Sequence, residues 1–267
     1  MKRQQTIETK QSGQSFLGLP CRIVTGVLAG ALLLLTGAVT PEAVSAAPAL
    51  KEAKLNIEHN ATDHDTGFQG AIDSEGWQRL EVTGPEGRVL SFEGHGKLAT
   101  LGITELFFET VEPENSKVSI EEMLTKLPEG KYTIKGPAME NGDSQGETAG
   151  EAWLTHTIPA GPVLVSPKED ARVSAVKNLA VRWRPVTKSI TGGPVNIIAY
   201  QLIIEKDETP HPHMIGKRGL SMYLPPSVTK ITVPKGFLEP GTPYNWEVLA
   251  IEESGNQTLS SSAFKTR

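Results

Sequence analysis

From residue 51 onward the chain is written in short runs in which apolar and polar residues alternate. Lys54–Glu58, Gln78–Val82, Arg88–Phe92, Thr104–Glu109, Lys131–Lys135 and Glu151–Thr157 each carry this pattern. Gly, Pro, Asn and Asp punctuate between them, as in Thr83-Gly84-Pro85-Glu86-Gly87. Period-two alternation bounded by turn residues predicts half-buried strands. One stretch predicts a helix instead. Ser119-Ile120-Glu121-Glu122 is a capping box, Val118 and Met123 are placed to staple it, and Pro128 ends it. Ile120, Met123, Leu124 and Leu127 fall on one face, suited to closing over a sheet.

The pattern becomes cleaner past Ile158-Pro159-Ala160-Gly161-Pro162, where Pro and Gly crowd together. Leu179, Val181 and Trp183 alternate, as do Tyr200, Leu202 and Ile204, then Ile231 and Val233, then Tyr244, Trp246, Val248 and Ala250. Strands apolar on one side need a second sheet to bury against, which predicts a sandwich. The expected organisation is a leader over 1–46, a β-rich domain over 47–158 with one short helix, and a second β-sandwich over 159–267, all-β throughout.

The second half resembles a fibronectin type III domain over about 162–267. The resemblance is carried by Trp183 in Asn178-Leu179-Ala180-Val181-Arg182-Trp183, by Tyr200-Gln201-Leu202, and above all by Leu238-Glu239-Pro240-Gly241-Thr242-Pro243-Tyr244. The last segment is similar to a tyrosine corner, in which a tyrosine hydroxyl ties back to the preceding turn. The resemblance implies a spacer or recognition module and names no ligand. The integrin-type Arg-Gly-Asp loop is absent, since Arg218-Gly219-Leu220 departs from it. In the first half, Gly84-Pro85-Glu86-Gly87-Arg88 and Leu127-Pro128-Glu129-Gly130-Lys131-Tyr132 loosely resemble turns of bacterial immunoglobulin-like or transthyretin-like sandwiches.

The leader changes the picture most. Ile23–Val39 is apolar and uncharged, basic residues precede it, and Ala43-Val44-Ser45-Ala46-Ala47 offers small residues for cleavage after Ala46. This is the pattern of a secretory signal peptide, with an uncleaved anchor as the alternative. Cys21 is the single cysteine and lies before the apolar run, so cleavage leaves a chain without disulfides. The expected address is the bacterial periplasm or the extracellular space, with no membrane insertion after cleavage. Lys2, Arg3, Lys10 and Arg22 against Glu8 and Glu42 make the leader basic, so the remainder is more acidic than the −5 of the whole chain. An acidic surface argues against nucleic acid as partner. At 38% hydrophobic and 21% charged residues, the chain is too apolar for disorder.

Four constellations could carry chemistry. Asn60-Ala61-Thr62-Asp63-His64-Asp65-Thr66-Gly67, followed by Asp73 and Glu75, is read as a loop of oxygen donors. Asp63, Asp65, Asp73 and Glu75 are its candidate ligands for a structural Ca²⁺, which takes six to eight oxygens. The EF-hand register fails, with Phe68 where glycine belongs and Ser74 where a bidentate glutamate belongs. The alternative is a solvated loop whose Asp and Thr side chains cap turns. Gly142-Asp143-Ser144-Gln145-Gly146 matches a nucleophile elbow without the strand and helix that one requires. His211-Pro212-His213 could chelate a transition metal but shows no third ligand. Trp77, Trp153 and Leu106-Phe107-Phe108 could stack on a sugar or grip a partner, with core packing expected for most of them.

The sequence therefore predicts an exported, non-catalytic binding or spacer protein, with no catalytic residue and a protein or glycan partner in the cell envelope. The competing readings are a hydrolase acting through Asp63, His64, Asp65 or Ser144, and a carbohydrate-binding module with its site in the first half. Two or three coplanar exposed aromatics would mark the sugar binder, a pocket holding perturbed titratable groups would mark the enzyme, and a spacer would show neither.

Overall fold

The structure, a computed structural model, describes residues 49–140 and 142–267. The leader and its apolar run lie outside these residues. Among the described residues no helix is long and apolar enough to cross a membrane.

The first half is built from β1 (Glu52–Asn60), β2 (Asp65–Trp77), β3 (Arg79–Gly84), β4 (Gly87–Glu93), α1 (Lys97–Leu101), β5 (Ile103–Glu109), α2 (Ile120–Leu124), β6 (Gly130–Glu140) and β7 (Asp143–Leu154). β2 runs antiparallel to the whole of β1, from Glu52↔Asp73 to Asn60↔Asp65, and takes β5 on its other side. β4, β3, β6 and β7 pair in that order as a second layer, and β2 reaches it through Trp77↔Ala138. Alternation sends Leu55 and Ile57 of β1 inward against Phe68, Ile72, Trp77 and Tyr132. The N-cap half of the expected capping box forms: the Ser119 hydroxyl accepts the Glu122 N–H at 3.2 Å, while the Glu122 carboxylate faces Lys126. Met123 is buried, and Val118, Ile120, Leu124 and Leu127 pack on the same core. α1 has no side-chain cap and no periodic apolar face, so its sequence carries no helix signal.

The second half contains β8 (Leu164–Ser166), β9 (Ala171–Val173), β10 (Ala180–Trp183), β11 (Ile197–Lys206), β12 (Gly219–Leu224), β13 (Lys230–Thr232), β14 (Pro243–Glu252) and β15 (Gln257–Thr266). Three strands, β13-β10-β8, face four, β12-β11-β14-β15. Between them lie Val181, Trp183, Tyr200, Leu202, Ile204, Trp246 and Val248. The Tyr244 hydroxyl accepts the Glu239 N–H at 2.9 Å, so the corner is formed. This three-on-four sandwich with its corner is fibronectin type III-like, and the described chain is all-β apart from two short helices.

The two halves have separate cores but one continuous sheet. β1 pairs parallel to β15 through Glu58↔Gln257, His59↔Thr258 and Asn60↔Leu259. Asn256, fully buried, fixes the joint. Its Oδ1 accepts the Ile57 N–H at 2.8 Å, and its Nδ2 donates to the Thr155 and Thr157 carbonyls at 2.9 Å each. A buried amide that satisfies three backbone groups from two segments is a rigid connector.

One expectation is overturned here. The segment read as a loop over 60–75 is mostly β2, a strand of 13 residues. Its glycines made it look like a turn, but they serve close packing. A Cβ at Gly67 would sit 2.7 Å from Glu112 Cγ, and one at Gly70 would sit 2.4 Å from the Phe108 ring.

Candidate functional site: a groove at the junction

The four carboxylates expected to share an ion do not converge. Asp63 and Asp65 lie at the β1–β2 turn, Asp73 and Glu75 near the far end of β2. Eight residues of strand separate Asp65 from Asp73, about 26 Å at the usual rise. Asn60 Oδ1 accepts the N–H of Thr62 and of Asp63 at 3.0 Å each, and Asn60 Nδ2 donates to Asp63. The turn is thus capped by the Asn60 side chain. His64 sits in it with φ 58°. Glu75 pairs with Lys51 at 3.0 Å.

A different set of carboxylates does converge. Glu58 of β1, Glu109 of β5 and Glu112 place oxygens within 4.8 Å of one another, and among the described residues they form the one such group of three potential cation ligands. Glu112 lies over Gly67, its Oε1 buried and without a protein partner. Burial, then the charges of Glu58, Glu109 and Asp65, push its carboxyl up to about 7. Glu58 is raised by burial as well, against hydrogen bonds from Gln257 and Gln69. Sequence reasoning missed this group because Glu58 is far in the chain from Glu109 and Glu112 and meets them only through the pairing of β1, β2 and β5.

The other motifs resolve as turns. Ser144 is exposed at the start of β7, just past the β6–β7 hairpin turn, with strand rather than helix after it. His213 N–H donates to His211 Nδ1 at 3.2 Å, so one ring nitrogen is occupied by the loop's own backbone. The loop is braced by Arg218, which grips both Glu208 oxygens at 2.7 Å.

The aromatics separate sharply. Trp77 is core, and Leu106 and Phe108 pack against it. Phe107 and Trp153 remain 60% and 64% exposed, and Tyr223 in the second half is 70% exposed. These three line one groove of about 790 Å³ between the halves. Phe107 stands on β5 in a cross-strand row with Ala71 and Lys54, where the small Ala71 leaves its ring uncovered. Trp153 stands on β7 and Tyr223 on the edge strand β12. A bulge between Ile197 and Ala199 buries Ile197 and turns Ile198 toward the groove, 49% exposed. Asn56, Gln69 and Gln257 supply amides between the apolar groups. Gln257 Nε2 donates to Gln69 Oε1 at 3.0 Å and also to Glu58, tying the groove's polar groups to the carboxylate cluster.

No protein-family model and no curated protein matches the chain. Solved structures do. A two-domain fibronectin type III segment of chicken tenascin is 14% identical, covers 83% of this chain and 100% of its own, and has a TM-score of 0.28. The FN1–FN3 domains of chicken CNTN1 are 12% identical over 83% of this chain and 69% of theirs, with a TM-score of 0.33. Fibronectin(III)-like modules of Clostridium thermocellum CbhA are 11% identical over 82% of this chain and 92% of theirs, with a TM-score of 0.32. The fibronectin type III-like architecture stands on the strand order and the Tyr244 corner.

Proposed function

We propose that this chain is an exported, non-catalytic binding protein whose partner lies in the junction groove. Fibronectin type III-like domains are commonly binding or spacer modules. The observation that carries the reading is the exposure of Phe107, Trp153 and Tyr223, contributed by both sandwiches, over a single concavity. Large aromatics left in water on a rigid framework mark a contact surface, because burying them is favourable and none of the described residues does so. The Asn256 joint keeps the two walls in fixed relation, so little ordering is needed when a partner binds. The leader supplies the address, the periplasm or the cell exterior, and the acidic mature chain disfavours nucleic acid.

The test is retention of the purified chain on isolated cell-envelope material. The triple variant Phe107→Ala, Trp153→Ala, Tyr223→Ala should melt like the parent and lose retention. Equal retention of the two proteins would refute the groove.

A further inference from the structure

Resting on that reading of the groove, we infer that its occupant is an uncharged polysaccharide chain. A sugar ring offers an apolar C–H face and a rim of hydroxyls. The groove answers both: Phe107, Trp153 and Tyr223 provide platforms, while Asn56 provides an amide that can donate and accept beside the fixed polar floor of Gln69 and Gln257, whose amides are tied to each other and to Glu58. An apolar peptide would instead select a contiguous greasy slot, and the amides interrupt one here.

Charge decides the class of glycan. The charged groups along the groove are largely answered from within the protein. Lys54 pairs with Glu52, Glu151 accepts from Lys131 at 2.8 Å, and Glu253 accepts from Asn196 at 2.9 Å. The surplus is acidic, so a polyanion meets repulsion and gains no ion pair. An uncharged chain loses nothing to that field.

The platforms also give the measurement. Trp77, Trp183 and Trp246 are buried, so Trp153 is the one exposed indole and its emission reports occupancy. The full mature chain should be titrated with a soluble β-glucan, a mannan and a chitin oligosaccharide. Alginate serves as the polyanion and an apolar peptide as the rival. At least one neutral glycan should bind with a shift in tryptophan emission. Trp153→Ala should weaken it at least about tenfold, the loss typical of a central aromatic contact, while Trp153→Phe retains part of the affinity. Alginate should bind more weakly than the neutral glycan. If the peptide alone binds, and Trp153→Ala abolishes it, the groove stands and the glycan is wrong. If nothing in the panel binds while the triple variant still loses envelope retention, the glycan is likewise wrong. If a glycan binds equally to parent and triple variant, both the groove and this inference fail.

Discussion

The two sandwiches close their cores with the same device and treat charge in opposite ways. Tyr132 in the first half and Tyr244 in the second each tie a hydroxyl back to the turn before their strand. The second half pairs many of its charges near the surface, in a network of Lys206, Glu208, Arg218 and Glu239, and sets Glu247, half-buried, and Glu252, buried, singly along β14. There Arg218 holds Glu208, and Lys206 holds Glu239, below the usual carboxylate range. The first half draws Glu58, Glu109 and Glu112 together in a partly buried cluster beside the joint. Exposed ion pairs contribute little to stability, whereas crowded, partly buried carboxylates make it pH-dependent. The first half, through Glu112, therefore holds the largest share of the pH-dependent strain.

The largest effect should come from the cores. Trp183→Ala should cost about 3–5 kcal/mol, and Trp77→Ala a similar amount, in denaturant unfolding. The comparison would break if the two variants produced the same single transition with every probe. That result would mean that the sheet shared across β1 and β15 makes one cooperative unit of two cores.

Next is the joint itself. Asn256→Ala strands the Ile57 N–H and two carbonyls in a buried place. It should cost about 1–3 kcal/mol. Hydrogen exchange at Ile57 should rise more than at Val181, which lies deep in the second core. Equal exchange at both amides would show that the joint is not a local connector.

A smaller effect separates the two charge clusters. Glu112 titrates at about 7 in the folded chain against 4.5 as its ordinary value. A raised pKa means stability that is fully present below the ordinary value and lost as pH rises through the folded one. Burial raises Glu58, Asp65 and Glu247 in the same direction. Glu208 and Glu239 pull the other way, through ion pairs open to solvent screening. The protein should therefore melt higher at about pH 5 than at about pH 8. Glu112→Gln should stabilise it by about 1–2 kcal/mol above pH 7, after allowing for solvent screening, and flatten the profile. A parent more stable at the higher pH would place the dominant strain elsewhere.

The difference between the halves also explains what could be read from sequence. In β10, β11 and β14 large apolar residues alternate over Val181–Trp183, Tyr200–Ile204 and Tyr244–Val248, so strand, face and sandwich all follow from period two. β2 hid because Gly67 and Gly70 stand where a strand former is expected, and the reason for each glycine is a side chain some 40 residues away. Groove and carboxylate cluster share this limit. Phe107 and Trp153 drew notice as aromatics, but their exposure depends on which strand covers which. Tyr223 and Ile198 carried no signal at all. A tertiary site assembled from β1, β5, β7, β11 and β12 has no local motif.

The smallest prediction compares the two corners directly. Both hydroxyl bonds span few residues, 2.8 Å for Tyr132 to the Pro128 carbonyl and 2.9 Å for the Glu239 N–H to Tyr244. Their chemistry differs. Tyr132 donates to a carbonyl, which has a second lone pair and tolerates a lost partner. Tyr244 accepts from an N–H, which has one proton and one chance of a bond. Replacement by Phe keeps the ring and its packing, including the stack of Tyr244 on Phe264 at 5.5 Å. Each change should cost about 0.5–1.5 kcal/mol, with Tyr244→Phe at the upper end and Tyr132→Phe at the lower. Paired denaturant curves on the two variants decide it. If Tyr132→Phe is the costlier, the stranded Glu239 N–H does not rule these corners, and the burial of the Tyr132 hydroxyl is the larger influence.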